Sequence, residues 1–406
     1  MWRCPHASAP QGPPPSSCSQ RTISMHAKSQ LKSPLSSSSG LCADMTSAQQ
    51  PKSSCMPVDL SGLARAIGAG SAECDAQGSF PEAAFAALKE ADLLARPPVD
   101  ADATPELLRL LAAIGRGDLS TGRLYEGHVN AVILARQFAQ GAALDRANRL
   151  LASGGMFGVW NTDAPQDPLT IENGVLSGKK NFASGVERLS HAIVTTGSMA
   201  ERMMWLAPVE DLPLDRTWWK PMGMRSSGSH VVDFTGLRVQ DDWAVGSPGD
   251  YTREPWISAG AIRFVAVQVG GMHAVLDVAI DHLRRSSRSE DRLQQQRLAM
   301  MATAVETGYL WLDRVGREWG QTGFADTVTP STAAARGAVE SAAVLVLDLA
   351  EKSVGAAGMI APHPLERLVR DLRTYLRQPN PDGAADILGK SVADLNWAPG
   401  RGGVEP

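Results

Sequence analysis

A carboxylate can move a proton and a guanidinium can hold a phosphate, and this sequence offers both in a few short stretches. Glu126 stands in RLYEGHVN, and Asp382 in RDLRTYLRQPNPDG, an arginine-rich amphipathic helix that runs into two prolines. Asp-Gly is a strong turn signal, so Asp382 also fits a turn or a helix cap. Arg284, Arg285, Arg288 and Arg292 crowd RRSSRSEDR, a cluster suited to phosphates or simply to a solvated helix end. In LSGKKNFASG an aromatic ring, Phe182, and a hydroxyl, Ser184, lie close together. Taken alone, they read as a core ring and a strand-end serine. His128 and His273 stand singly on helical stretches, where a lone histidine is more often packed or capped than reactive. No metal site is expected.

Composition narrows the field. With 406 residues, a net charge of -4 and a pI near 6.1, the chain is long enough for several packed layers and has no electrostatic bias toward nucleic acid. All five cysteines, Cys4 to Cys74, precede the bulk of the chain, which must fold without disulfides or cysteine-held metal. No apolar run approaches the roughly 20 residues of a membrane span, and the amino terminus lacks a signal-peptide core. A cytoplasmic protein acting on small molecules is expected, with neither membrane nor nucleic acid as partner.

Four segments must position those side chains. Residues 1–56, rich in Ser, Pro, Gln and Lys, predict a disordered, low-complexity extension, read as an upstream stretch ahead of a start at Met45 or Met56 in preference to a regulatory tail. Residues 59–153 predict an amino-terminal domain of four or five helices, from apolar residues at three and four residue spacing broken by Pro and Gly. Residues 154–250 carry short β-branched and aromatic runs between turn residues and predict an antiparallel β-barrel or sandwich. Residues 254–400 return to long helices, with Ile262, Val265, Val269, Met272, Leu276, Ile280 and Leu283 on one stripe, and predict a four-helix bundle.

That order of segments, with four stretches of sequence, resembles the acyl-CoA dehydrogenase family from about residue 80 to the carboxyl terminus. FGVWNTDAP stands where the family's first strand meets the flavin, which implies contacts at Asn161 and Thr162. LSGKKNFASG is similar to the family's Asn-Gly-x-Lys-x-Trp-Ile-Thr, placing Phe182 at the Trp and Ser184 at the Thr. MGMRSSGSHVVDFTGLRV looks like the Gly-Met-Arg-x-Ser stretch that borders the thioester. RSSRSEDRLQQQ aligns on Arg-Lys-x-Phe-Gly-(six residues)-Gln, with Arg285 and Gln296 at its ends. KSVGAAG stands for Gln-x-x-Gly-Gly, with Lys352 in place of the Gln and Gly355 retained. The resemblance implies FAD, a small-molecule substrate such as a thioester of coenzyme A or acyl carrier protein, an electron-accepting flavoprotein, and a homodimer or homotetramer that completes the cofactor site.

The reactive position departs from the family. Counting from PLERLVRD puts the family's proton-abstracting Glu at Pro379, and counting back from GGMHAVLD puts the alternative base near Gly260. Neither can take a proton, so α,β-oxidation of an acyl thioester needs a base from elsewhere, with Glu126 and Asp382 the candidates. A flavin-dependent monooxygenase fed with reduced flavin by a separate reductase, or a silent flavin-binding subunit, would need none. In the former, His128 or His273 could donate a hydrogen bond. The prolines of RQPNPDG are expected to stop the helix and set a rigid edge over the pocket.

Overall fold

The computed structural model describes residues 58–321 and 325–400. The expectation of a disordered extension falls on residues outside these. The described chain opens with α1 (Leu60–Gly68), α2 (Ser71–Gln77), α3 (Glu82–Glu90), α4 (Thr104–Gly117), α5 (Leu119–Phe138) and α6 (Gly141–Ala152). Side chains set the starts: Asp59 accepts from Ser61 and Gly62 amides at α1, and Asp118 accepts from the Thr121 amide at 2.7 Å at α5.

The strands that follow are β1 (Phe157–Trp160), β2 (Thr170–Glu172), β3 (Val175–Ser177), β4 (Lys179–Ala183), β5 (His191–Thr196), β6 (Met203–Pro208), β7 (Leu214–Asp215), β8 (His230–Asp233) and β9 (Ala244–Val245). They form a sheet β1-β5-β6-β9, a sheet β4-β8-β7 and a β2-β3 hairpin. The hairpin turns on Asn173-Gly174, both at positive φ, the pair that suits the tightest hairpin turns. The expected antiparallel barrel or sandwich needs correction. β1 pairs with β5 in parallel, and these are small open sheets with no closed barrel. Short runs give too few ladder bonds to close a cylinder, and the long excursion between β1 and β5 permits the parallel pairing.

Helices then resume as α7 (Ile262–Arg285), α8 (Arg292–Trp319), α9 (Ala325–Val354), α10 (Pro364–Tyr375) and α11 (Pro381–Ala393). The α7 stripe expected from sequence is buried, Ile280 in part. Ala259–Arg285 is long and apolar enough to cross a membrane, contrary to the sequence expectation, yet 67% of its apolar window is buried in the core. It is packed closely on α4, where a Cβ at Gly115 would strike the Val267 carbonyl and one at Gly270 the Ala112 carbonyl. Glycine lets two backbones touch there.

Candidate functional site

A cavity of about 1170 Å³ opens between the strands, the first turn of α7, α9 and the α10–α11 corner. Strand geometry places one wall. The β4-β8 register shifts between Lys180 and Ala183, and Phe182 at φ +54° turns outward, 39% exposed, into the cavity. Its ring meets Trp218 edge-on at 4.9 Å, and Trp218 stacks on Trp219 at 6.0 Å. Val159, Asn161 and Thr162 continue that wall. Asn161 Oδ1 accepts from Arg202 at 2.6 Å and Thr195 at 2.8 Å. Arg202 can only donate, so the amide is fixed with its NH2 turned away from these partners. Behind it the Lys180 ammonium, held by Asp163 at 2.5 Å, is pushed down to about 8 by burial.

The loop bearing the tryptophans is fastened to α10. Met224 N–H donates to Asp371 at 2.6 Å, Arg370 donates to Met222 O at 3.1 Å, and Gly223 lies against the Arg370 carbonyl too closely for any Cβ. Arg370 also grips Asp75 at 2.7 Å, and Arg367 grips Asp118 at 2.8 Å. Burial lifts Asp371 to about 7 against the opposing pull of Arg367. The arginines of RLVRDLRTYLRQ therefore divide: Arg367 and Arg370 tie the fold together, while Arg373 and Arg377 line the cavity.

RQPNPDG closes the site. Pro379 and Asn380 line the cavity, and Pro381 starts α11, whose cap is Asn380 accepting from Gly383 N–H at 3.2 Å. Asp382 thus sits in the first turn of a helix instead of a turn, exposed and outside the cavity lining. Glu126 is fully buried and also outside the lining, held by Arg123 at 2.7 Å and by Asn130. Burial raises its pKa, and the charges of Arg123 and Arg263 oppose that rise.

Among the described residues, none that lines the cavity is Asp or Glu. Four carboxylates meet lining residues from behind and are engaged there: Glu126 by Asn130, Glu254 by Ser258 and Thr329, Glu340 by Arg336 and Arg377, and Glu351 by Arg373. The lining carries instead Lys220, Arg263, Arg336, Arg373 and Arg377.

Other residues expected at the site lie elsewhere. Ser184 is buried and bonded to Ser229 at 2.8 Å, which continues to Ser227 at 2.9 Å. Arg285 is exposed and paired with Asp281, Gln296 is exposed, and Gly355 takes φ +81° after α9. Arg288 donates to Ser353 O and Arg297 to Lys352 O, so the segments holding these three meet at one end of the bundle, and none lines the cavity. His128 is consumed by the fold: Nδ1 accepts from Phe157 N–H at 3.0 Å, Nε2 faces Leu94 O at 2.8 Å, and burial lowers it to about 4. His273 bonds Tyr309 at 2.9 Å, outside the lining.

Sequence reasoning missed Arg263, Asn130, Thr332, Arg336 and the Trp218-Trp219 pair. The available signal was a single arginine in the first turn of the otherwise apolar AIRFVAVQVGG, since a buried charge must be paired or used.

Residues 253–393 match the model of the acyl-CoA dehydrogenase C-terminal domain. A Bacillus subtilis (strain 168) protein named "Putative acyl-CoA dehydrogenase YdbM" is 24% identical over 68% of this chain and 74% of its own. The amino sugar nitrososynthase DnmZ of Streptomyces peucetius is 31% identical over 38% of this chain and 41% of its own. Among solved structures, the dibenzothiophene monooxygenase TdsC of Paenibacillus sp. A11-2, one of whose structures holds FMN, shares the fold. It has TM-scores of 0.71 and 0.72 at 18% identity, over 84% of this chain and 97% of that one. Residues 253–393 thus carry an acyl-CoA dehydrogenase C-terminal domain, the chain is similar to that family, and it is by class a flavin-dependent oxidoreductase. Its cavity fits a flavin: aromatic rings offer faces to a flat ring system, cations suit a phosphate, and two lining side chains, Thr332 and Arg336, keep buried polar atoms without partners.

Proposed function

We propose that the protein is a monooxygenase of this family, using reduced flavin from a separate reductase to place one atom of dioxygen in a small organic substrate. One observation carries the reading: both positions onto which the family's base counts, Pro379 and Gly260, line the cavity, and among the described residues no carboxylate lines it with them. Removing an α-proton as hydride departs needs a positioned base, and its loss is worth about 10²- to 10⁴-fold. When bound, reduced flavin supplies two electrons to dioxygen, one oxygen atom going to the substrate and the other leaving as water.

What this chain's residues contribute is a shaped, positively charged chamber. Phe182, Trp218, Trp219, Trp256 and Phe264 line it with aromatic rings, while Asn161 presents a fixed amide donor. The relatives' names support the reading, one a nitrososynthase and one fold neighbour a monooxygenase. FMN is proposed ahead of FAD, because the fold neighbour TdsC holds FMN.

The proposal extends to a homo-oligomer. Leu293, Met300 and Leu310 on α8 and Val344 and Leu345 on α9 are exposed apolar side chains. Light scattering that finds a flavin-loaded monomer would contradict this extension.

The test of function mixes protein carrying photoreduced FMN with aerated buffer in a stopped-flow spectrometer. A transient absorbance distinct from both oxidised and reduced flavin is expected. Immediate return to oxidised flavin, at the rate of the free cofactor, would remove the oxygen-transfer reading.

A further inference from the structure

Arg263 lies in the first turn of α7, is 4% exposed, and lines the cavity. Its Nε donates to Asn130 Oδ1, and its guanidinium lies over the Trp319 ring at 5.4 Å. Asn130 in turn donates to Glu126, which is held by Arg123 at 2.7 Å. One carboxylate thus serves two guanidiniums, and one positive charge is left over.

That surplus has somewhere to go. Neither Nη group of Arg263 has a hydrogen-bond partner among the described residues, and neither is among the buried atoms left unpaired, so both open on the cavity. Gly260 provides the room, since a Cβ there would stand 2.8 Å from Nη2. A fork of donors, pinned from behind and stacked on an indole, therefore occupies the place where a carboxylate base was sought. A rigid guanidinium with two free N–H groups matches a planar or tetrahedral oxyanion in two-point fashion.

We propose that Arg263 is the cavity's receptor for an oxyanion group, a carboxylate, sulfonate or phosphate, on the molecule that enters it. This rests on the oxygen-transfer reading only for what later happens to that molecule. The oxyanion belongs either to the substrate or to the flavin's own phosphate, and the two are separable.

The test uses the full chain and matched probe pairs, indole-3-carboxylate against indole and thymidine diphosphate against thymidine, titrated calorimetrically with and without FMN. The charged member is expected to bind about tenfold or more tightly, and Arg263→Gln to remove the difference. Gly260→Ala, whose methyl group displaces the guanidinium while leaving it in the protein, is expected to cut the preference too, and carries the test should R263Q not fold. A further arm compares FMN with riboflavin on flavin-free protein. An FMN preference lost in R263Q assigns the receptor to the flavin phosphate, and a loss confined to the probe pairs assigns it to the substrate. Wild-type protein without any preference for the charged member, in either arm, or variants that keep it unchanged, would overturn the proposal. Failure to bind flavin at all would strike the oxygen-transfer reading alone, since the probe pairs are also read without it.

Discussion

Two groups of arginines meet near the cavity and do opposite things. Arg367 and Arg370 on α10 are saturated with carboxylates from other elements, Asp118 and Asp75, and hold the tryptophan loop through Met222 and Met224. Arg263 on α7 has a backing partner at Nε only and keeps its outer donors free. Arg263 is buried and Arg367 and Arg370 are half-buried, yet withdrawal from solvent alone does not mark a functional cation. The count of donors already spent does, because a saturated guanidinium has nothing left to offer a ligand.

Substitutions should split the two groups. Arg370→Ala leaves Asp75 buried without its partner and frees the tryptophan loop, and is expected to lose about 3 kcal/mol or more in urea denaturation. Gly270→Ala, a probe of the helix layer beneath both, forces a methyl group onto the Ala112 carbonyl and should lose about 1–3 kcal/mol by the same measurement. R263Q, by contrast, should move ligand affinity while leaving the melting temperature within a few degrees of wild type. A large loss of stability in R263Q, equal to that of Arg370→Ala, would erase the distinction.

Proton linkage sharpens the comparison further. Asp371 has an ordinary pKa of 3.8 and is raised to about 7 in the folded chain, chiefly by burial. Between those values the folded state keeps a proton that the unfolded state has lost. Its contribution is therefore full below pH 3.8 and disappears as pH rises through 7. Stability should fall by about 1 kcal/mol from pH 6 to pH 8, and Asp371→Asn should flatten that slope. An equal slope in the variant would show that another group is responsible. The smallest effect is expected at the corner: Pro379→Ala should loosen the cavity edge and weaken flavin binding a few-fold, measured by fluorescence titration. Unchanged affinity, stability and turnover would leave Pro379 without the shaping role given to it.

Long periodic segments were legible in the sequence, as the α7 stripe shows, because burial of one helix face dictates its spacing. The sheet pairing was not, since β1 and β5 pair in parallel across the 30 residues between Trp160 and His191 and no local pattern specifies that partner. Phe182 was recoverable from its motif, and its exposure follows from a bulge at that residue. Arg263 was hidden because its meaning depends on Asn130, a residue of α5 that only the fold brings to it. Asp382 illustrates the reverse error: Asp-Gly signals a turn, yet Pro381 and the Asn380 cap convert the same residues into the start of a helix.

The claim that no carboxylate base serves this cavity is tested most directly by an anaerobic absorbance titration of the FMN- or FAD-loaded protein with short, medium and branched acyl-CoA thioesters. The oxidised flavin band is expected to persist with every one. Bleaching by any of them would contradict the account, and would direct the search for a base to the carboxylates behind the wall, Glu126 first.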